Sequence, residues 1–366
     1  MNETYPCSHC GAKHPTSELF RCGNDDLCPD CAAQLTILCD ECQTRIYRDD
    51  DRGDSQHVLC QACCEAYYTT CDNCGAMIRT NHAYYPEDSD ETFCWECYER
   101  RTRHAAIHEY DYKPDLSFHG KGLRHFGVEL EIDEGGQSAA NARRLLDIGN
   151  RSAENLYIKT DGSLDDGLEL VTHPMTLDYH RNEMPWADVL AAARSMGYLS
   201  HRAETCGLHV HVSRLAFGCT YDQQETAIAR LVYFVEKFWP EMLRFSRRTE
   251  SQLNRWAARY GARLCPKDQL DHAKHSGAGR YAAVNLTNGD TIEIRIFRGT
   301  LKLNTLLATL HLVNHLCEVA VSLSDAALQD MSWHGFLRRI TEPGLIQYLK
   351  ERNLYVNEPV AVEEDE

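Results

Sequence analysis

The sequence predicts an α+β protein in which a larger mixed domain follows a series of small modules built around cysteines. Residues 1–100 contain C-x-x-C pairs that recur at a fixed spacing. Residues 124–357 contain short segments in which apolar and charged side chains alternate, the pattern of a half-buried strand. Helical stretches separate these segments, and the clearest is Gln223–Phe245, whose apolar stripe is interrupted at Pro240.

The composition is that of a globular protein with an acidic surface. Of the 366 residues, 43% are hydrophobic and 25% are charged, and the formal net charge is −17. Residues 1–104 hold 9 Lys and Arg against 19 Asp and Glu, a balance of −10. Because affinity for nucleic acids comes mainly from Lys and Arg that neutralise phosphates, a nucleic-acid partner is not expected.

No segment of the sequence predicts a membrane span or export. The most apolar stretch, Leu303–Leu323, contains His311, Asn314 and Glu318 and is therefore interpreted as a buried helix. The first ten residues, MNETYPCSHC, lack the basic and apolar regions of a signal peptide. A cytoplasmic location is expected, and there 18 cysteines favour metal binding over disulfides.

The cysteines form a threefold repeat. The first C-x-x-C pair of each repeat begins 32 residues after the previous one, and a second pair follows it after 17, 17 and 19 residues. Two such pairs supply the four thiolates of a tetrahedral zinc site. The three sets are Cys7, Cys10, Cys28 and Cys31; Cys39, Cys42, Cys60 and Cys63; and Cys71, Cys74, Cys94 and Cys97.

These sets predict about three structural Zn²⁺ ions per chain, because four protein sulfurs leave no open position for water. The expected modules cover about residues 1–36, 37–68 and 69–100, and they resemble zinc-ribbon or treble-clef arrays. Modules this small have little apolar core, so zinc is expected to supply most of their folding energy. The spacing leaves open whether each repeat binds its own ion or the pairs are exchanged between repeats. Cys22, Cys64, His14, His57 and His82 are spare residues near these sites.

Residues 101–123 are mixed and polar and predict a linker, and residues 358–366 predict a solvated acidic tail. In the domain between them, the polar faces of the four alternating segments hold carboxylates, imidazoles and arginine, with no lysine or glutamine. Each segment alone is explained by one face in the core and one in water; together they favour a site for a divalent cation and a phosphate. The segments are FGVELEID with Glu129 and Glu131, GLELVT with Glu169, GLHVHVS with His209 and His211, and TIEIRIFRG with Glu293 and Arg295.

The strand geometry permits such a site. Glu129 and Glu131 lie two residues apart, so their Cα atoms are roughly 6.6–6.8 Å apart on one face. Two carboxylates at that separation are able to bind two neighbouring metals about 3.5–4 Å apart. His209 and His211 repeat this arrangement with imidazoles, and Arg295 beside them suits phosphate oxygens.

In the motifs GVELEID, DGSL, GLELVTHP, GLHVHVS and TIEIRIFRG, residues 124–325 resemble the putative amidoligase family of the glutamine synthetase and glutamate–cysteine ligase superfamily. The resemblance implies a curved antiparallel sheet with flanking helices. It also implies an ATP-dependent carboxylate–amine ligase that uses Mg²⁺ or Mn²⁺ and an acyl phosphate. The implied metal ligands are Glu129, Glu131, Glu169, His209 or His211, and Glu293, and the implied phosphoryl-binding residues are Arg295 and Arg298.

Four further residues have open roles. Asp161 is expected on a turn beside the site, although a plain Asp-Gly turn explains it equally well. Lys274 and Arg280 flank the glycines of HSGAGR and are candidates for contact with phosphates. Arg298 has the opposite parity to Arg295 on a regular strand, so it reaches the site only if the strand ends or bulges near Gly299.

Two other functions remain open. A His-x-His motif with carboxylates also suits a metal-dependent hydrolase, which would act without nucleotide and would leave the arginines without a role. A non-catalytic protein that recruits partners through its zinc modules is the second alternative. For the ligase, the expected ligands are ATP, an amine and a carboxylate, the latter two including peptides or proteins. The acidic zinc array is expected to dock a protein partner.

Overall fold

The computed structural model describes residues 4–86, 90–102 and 105–355, and the predicted acidic tail lies outside these ranges. The chain divides into two compact units, Met1–Ala105 and Ala106–Glu366. The structure combines helices, an antiparallel sheet and small cysteine-rich modules, as the sequence predicts.

The first unit contains three modules that share one plan. In each, the first cysteine pair lies in the turn of a two-stranded hairpin, and the second pair begins a helix. The left-handed backbone after the first pair is provided by Gly11 and Gly75, with φ of +75° and +72°, and by Gln43 with φ of 59°. The strands are β1 Thr4–Pro6, β2 Lys13–Pro15, β3 Phe20–Cys22, β4 Asp25–Leu27, β5 Thr36–Leu38, β6 Arg45–Tyr47, β7 Tyr68–Thr70 and β8 Met77–Arg79. The helices are α1 Pro29–Leu35, α2 Gln61–Tyr67 and α3 Trp95–Thr102, with 3-10 helices at Thr16–Glu18, Arg48–Asp50 and Thr80–His82.

The second unit is built on a six-stranded antiparallel sheet. The four predicted strands occupy its centre, and two short strands extend its edges, one of them within the predicted strand segment RYAAVNL. In chain order the strands are β9 Phe126–Ile132, β10 Leu156–Lys159, β11 Leu168–Thr172, β12 Gly207–Ser213, β13 Val284–Asn285 and β14 Thr291–Arg298. Their order across the sheet is β10-β11-β9-β12-β14-β13.

Helices cover the apolar face of this sheet, which carries fully buried residues such as Val128, Leu130 and Val210. The predicted helical stretch around Pro240 forms two helices that meet at Phe238, with Pro240 in the first turn of the second helix. The helices are α4 Ala139–Gly149, α5 Leu177–Asn182, α6 Trp186–Ser195, α7 Tyr221–Lys237, α8 Trp239–Ser246, α9 Glu250–Trp256, α10 Pro266–Lys274, α11 Leu303–Ser322, α12 Asp325–Asp330, α13 Trp333–Leu337 and α14 Pro343–Glu351.

Helix α11 is the predicted buried helix. Among the described residues it alone has the length and hydropathy of a membrane span, and 67% of its most apolar window is buried inside the protein. It packs against α7, α14 and α5. Its apolar character therefore matches its position in the core of the second unit.

The structure differs from the sequence prediction in the segment 101–123, which was interpreted as a linker. From Ala106 onward, this segment belongs to the second unit. His108 N donates to Ile158 O at 2.8 Å, and Thr160 N donates to His108 O at 2.9 Å. The segment thus pairs with the outer edge of β10, where backbone groups would otherwise lack partners.

Candidate active site and metal clusters

The strand register places the polar side chains of the sheet on one face in three transverse rows. In the first row Lys159 pairs with Glu169, and Glu169 pairs with Glu131. In the second row Glu129 pairs with His209. In the third row Gly127 pairs with His211, His211 with Glu293, and Glu293 with Asn285. The period-two alternation seen in the sequence therefore brings the predicted carboxylates and imidazoles together.

A β-bulge adds Arg298 to this face. Leu208 pairs with Phe297 and Val210 pairs with Ile294, so β14 has one extra residue between these two pairs. Beyond the bulge, Gly207 pairs with Arg298. Because Gly207 lies two residues from His209 on β12, Arg298 occupies a position on the same face.

The carboxylates and imidazoles of these three rows together form the donor set, and Glu129 lies at its centre. Its Oε2 atom lies 3.1 Å from His209 Nδ1, and its Oε1 atom lies 3.1 Å from His211 Nε2. Two groups of potential ligand atoms converge on it, one completed by Glu169 and His209 and the other by His211 and Glu293. Glu129 is thus a potential ligand in both groups and would contribute to holding cations at either one.

Glu131 and Glu293 border this centre. Glu131 Oε1 lies 3.9 Å from His209 Nε2, while its Oε2 atom accepts a hydrogen bond from Gly207 N. Glu293 Oε1 lies 3.7 Å from His209 Nδ1, and its Oε2 atom accepts a hydrogen bond from Asn285 Nδ2 at 2.7 Å. Both carboxylates are at least 95% buried, so their charge is poorly screened by water.

Burial and neighbouring charges shift the pKa values of the site residues in different directions. Burial and then the charge of Glu129 raise the pKa of Glu169 to about 8. Burial opposes ionisation of Glu129, but His211 and His209 outweigh it and hold the pKa of Glu129 well below its usual range. Burial also disfavours a charged His211, yet Glu129 and Glu293 raise the pKa of this imidazole to about 9. The donor set thus has an excess of negative charge that cations would neutralise.

The residues fit divalent cations. Glu169 Oε2 and His211 Nε2 are buried without a hydrogen bond of good geometry to any described residue. Each nevertheless lies 3.1 Å from a group of opposite charge, Lys159 Nζ in the first case and Glu129 Oε1 in the second. Three or four carboxylates suit Mg²⁺ or Mn²⁺, with imidazole as an additional ligand.

Basic groups flank the donor set on both sides. On the β10 side, Lys159 contacts Glu169; on the β14 side, Arg295 contacts Glu293 and leaves its buried Nε atom without a partner among the described residues. Arg248, which precedes α9, projects over Gly207 of the first row. The sequence analysis missed Lys159 and Arg248. The alternation in LYIK was a weak signal for Lys159, whereas no motif marked Arg248.

The remaining predicted residues lie further from the centre. Asp161 Oδ1 accepts a hydrogen bond from Ser163 N at 2.7 Å, which is the turn role, and its charge also contributes to the raised pKa of Glu169. Arg280 is exposed and contacts the rings of Tyr110 and Tyr281, so it borders the face without joining the donor set. Lys274 forms an ion pair with Glu225 instead of facing the site.

The twelve predicted cysteines form three clusters in the first unit, each within a single repeat. Zn–S bonds of about 2.3 Å in a tetrahedral site place two sulfurs about 3.8 Å apart. Across the two pairs of each repeat, the Sγ–Sγ distances are 3.8 Å for Cys10–Cys28, 3.8 Å for Cys42–Cys60 and 3.7 Å for Cys74–Cys94. The clusters therefore fit one zinc ion per repeat, in sequential order.

The spare residues near these clusters make other contacts. Cys22 Sγ lies 3.6 Å from Arg45 O, and Cys64 Sγ lies 3.7 Å from Arg52 O. His57 Nδ1 lies 2.9 Å from Asp54 Oδ1. None of the spare residues belongs to any of the three four-cysteine clusters.

Comparisons with known proteins identify no family. No protein-family model matches the sequence, and no curated protein matches it. Solved structures that match include a bifunctional glutathione synthetase from Pasteurella multocida, with 14% sequence identity and a TM-score of 0.36. The match covers 63% of this chain and 46% of that one, so the chain spans less than half the length of that protein. A likeness of this size establishes neither a family nor an activity.

Proposed function

We propose that this protein is an ATP-dependent carboxylate–amine ligase that forms an amide or isopeptide bond through an acyl phosphate. The observation that carries the proposal is the polar face of the sheet. There Glu129 is shared by two sets of potential metal ligands, and arginines lie beside them. A hydrolase requires the ligands alone, whereas phosphoryl transfer also requires cationic groups for the transferred phosphate.

Contacts across the sheet support the curved, glutamine-synthetase-like form of this fold. The Tyr110 ring centroid lies 5.5 Å from Lys159 Nζ and 5.7 Å from Arg280 Cζ. Lys159 belongs to one edge strand, and Arg280 precedes the strand at the other edge. In a flat six-stranded sheet the edges would lie roughly 24 Å apart, so one ring between these two side chains favours a concave face.

The residues of the face have complementary roles in this proposal. Bound Mg²⁺ or Mn²⁺ would neutralise the polyphosphate of ATP. Glu129, Glu131, Glu169, His209, His211 and Glu293 would hold the cations. Arg295 and Arg298 would contact the equatorial oxygens of the transferred phosphoryl group and orient it in line with the substrate carboxylate. An amine then attacks the acyl phosphate and releases phosphate, so no serine or cysteine nucleophile is needed.

The zinc modules have a separate role in the proposal. A hairpin turn followed by a helix start supports a treble-clef-like rather than a ribbon-like module. Their acidic surface suits docking of a protein partner or protein substrate in the cytoplasm, and it disfavours nucleic acid.

Hydroxylamine tests the proposal because this small nucleophile replaces an unknown amine. With ATP, Mg²⁺ and a panel of carboxylates, the protein should form a hydroxamate and release ADP and phosphate. Arg298→Ala should slow this reaction by about 10²-fold or more, since a phosphoryl-stabilising arginine contributes about 10³–10⁵. Arg143→Ala, on the exposed side of α4, is the matched control and should leave the rate unchanged.

Other products would overturn the proposal. AMP with pyrophosphate would indicate adenylation. Amide cleavage without nucleotide would assign the site to a hydrolase. If no carboxylate in the panel reacts, ATP with Mg²⁺ produces no binding signal and no amide is cleaved, the result favours the non-catalytic interaction protein.

A further inference from the structure

A half-buried arginine fills a gap beside Glu131 on the polar face. Gly207 has no side chain, and Arg248 occupies the space above it. A Cβ atom at this position would lie 2.5 Å from Arg248 Nη2, 2.7 Å from His209 Nε2 and 3.3 Å from Glu131 Oε2. Arg248 therefore lies directly beside His209 and Glu131 of the donor set.

The guanidinium of Arg248 has no acceptor in the part of the chain that the structure describes. No carboxylate in residues 4–86, 90–102 and 105–355 lies within 4.0 Å of it, and no described group accepts a hydrogen bond from it. Burial lowers the pKa of Arg248, and Glu131 only partly opposes this effect. An arginine offers five donors, so a half-buried guanidinium without protein acceptors is available to an anionic ligand.

A small open cleft lies at this guanidinium. Its walls carry further positive charge, because Arg298 faces it alongside Arg248. Burial and then the charge of Arg247 lower the pKa of Arg298 to about 10. Glu204 also lines the cleft, but it is exposed. The remaining lining residues are His201, Thr205, Cys206, Gln252 and Trp256.

We propose that this cleft binds the carboxylate substrate of the ligase through a carboxylate group held by Arg248. The inference rests on the proposed function and names the place where that substrate enters. A guanidinium fork matches the two oxygens of a carboxylate, and the surrounding burial strengthens such a charge-assisted pair.

The position of the cleft favours a substrate carboxylate over the phosphates of a nucleotide. Polyphosphate needs the cations, which would be held around Glu129, one row further along β12 and its neighbours. Arg298 lines the cleft and pairs with Gly207 of β12, two residues from His209, so the cleft adjoins the donor set. A carboxylate on Arg248 would thus lie next to the phosphoryl group that it must receive, as in-line transfer requires.

Trp256 provides a direct signal for this binding because it lines the cleft. The full-length protein, with no nucleotide or Mg²⁺, is titrated with acetate, glutarate and inorganic phosphate while tryptophan fluorescence is followed. A saturable change with a carboxylate probe is expected. Trp256→Phe should remove the change without removing the binding, which calorimetry with the same probe detects.

The Arg248 variants decide the inference. Arg248→Gln should weaken carboxylate binding by at least about tenfold and leave the binding of Mg²⁺–ATP within about twofold. Arg248→Lys keeps the charge but loses the fork, so it should give an intermediate loss. Circular dichroism and the melting temperature check that both variants fold.

Three results would overturn the inference: saturation by phosphate alone, carboxylate binding unchanged in Arg248→Gln, or equal loss of Mg²⁺–ATP binding in that variant. Because these measurements need no turnover, they separate the inference from the proposed function. Arg248-dependent carboxylate binding with no hydroxamate formed would leave the cleft assigned and the ligase proposal wrong.

Discussion

At the scale of single residues, Glu131 links the fold to the candidate site. One oxygen accepts a hydrogen bond from Gly207 N, and the other faces His209. In Glu131→Gln the amide oxygen still accepts from Gly207 N, while one of several crowded negative charges is lost. The melting temperature should therefore change by less than about 3 °C, whereas Mn²⁺ affinity, measured by electron paramagnetic resonance, should fall at least about tenfold.

Glu236 is the matched control, because it is equally buried and has no part in the donor set. Its carboxylate accepts hydrogen bonds from Tyr260 N and from Gly261 N at 3.0 Å, and it pairs with Arg259. Glu236→Gln should lower the melting temperature and leave Mn²⁺ affinity unchanged. Unchanged Mn²⁺ affinity in Glu131→Gln, or a large loss of stability there, would contradict a ligand role for Glu131.

The residues of the polar face differ in how well the sequence predicted their position. Glu129, His209 and Glu293 could be grouped because strand alternation fixes which side chains share a face. The sequence could place Arg298 on this face only if the strand ends or bulges near Gly299. That bulge depends on how β14 pairs with β12, which the sequence does not show. Arg248 reaches the face from the turn before α9, and no periodic pattern predicts a contact of that kind.

At the scale of elements, β12 depends on a residue without a side chain. The space above Gly207 is filled by Arg248, His209 and Glu131, so Gly207→Ala must displace functional groups. Mn²⁺ and carboxylate affinities should both fall by about tenfold or more in this variant. Gly127→Ala is the control on the adjacent strand, where the added Cβ would lie an ordinary 3.5 Å from His211 Cβ. Similar effects of the two substitutions would contradict this account of β12.

The edges of the sheet were the least predictable elements. β13 has two residues and β10 has four, too few for a reliable alternation. β10 is also defined by its partners, because β11 pairs with one side and the segment at His108 with the other. The composition of residues 101–123 is polar, which predicted a linker, but backbone pairing does not depend on side-chain polarity.

At the scale of the whole molecule, the two units are stabilised in different ways. The second unit has one continuous apolar core that includes α7, α11 and the inner face of the sheet. The first unit has three small clusters in which cysteines are a large share of the buried residues. In the first of these clusters, Leu27 and Ala32 are the only fully buried residues other than cysteines among the described residues. Metal and apolar burial therefore contribute unequally to the two units.

This difference predicts the outcome of zinc removal from the full chain. The protein should contain about three Zn²⁺, and Cys28→Ser should reduce this to about two, because each cluster needs four sulfurs. Cys64→Ser is the matched control and should keep three Zn²⁺, since Cys64 lies outside the cluster that contains Cys60.

Zinc binding contributes about 10–16 kcal/mol in isolated zinc-finger peptides, so a chelator should unfold the modules. Hydrogen exchange should then lose protection in residues 4–102 and keep it in the strands of the second unit. One zinc or none per chain would contradict the assignment of the clusters. Unfolding of the second unit together with the first would contradict separate stabilisation of the two units.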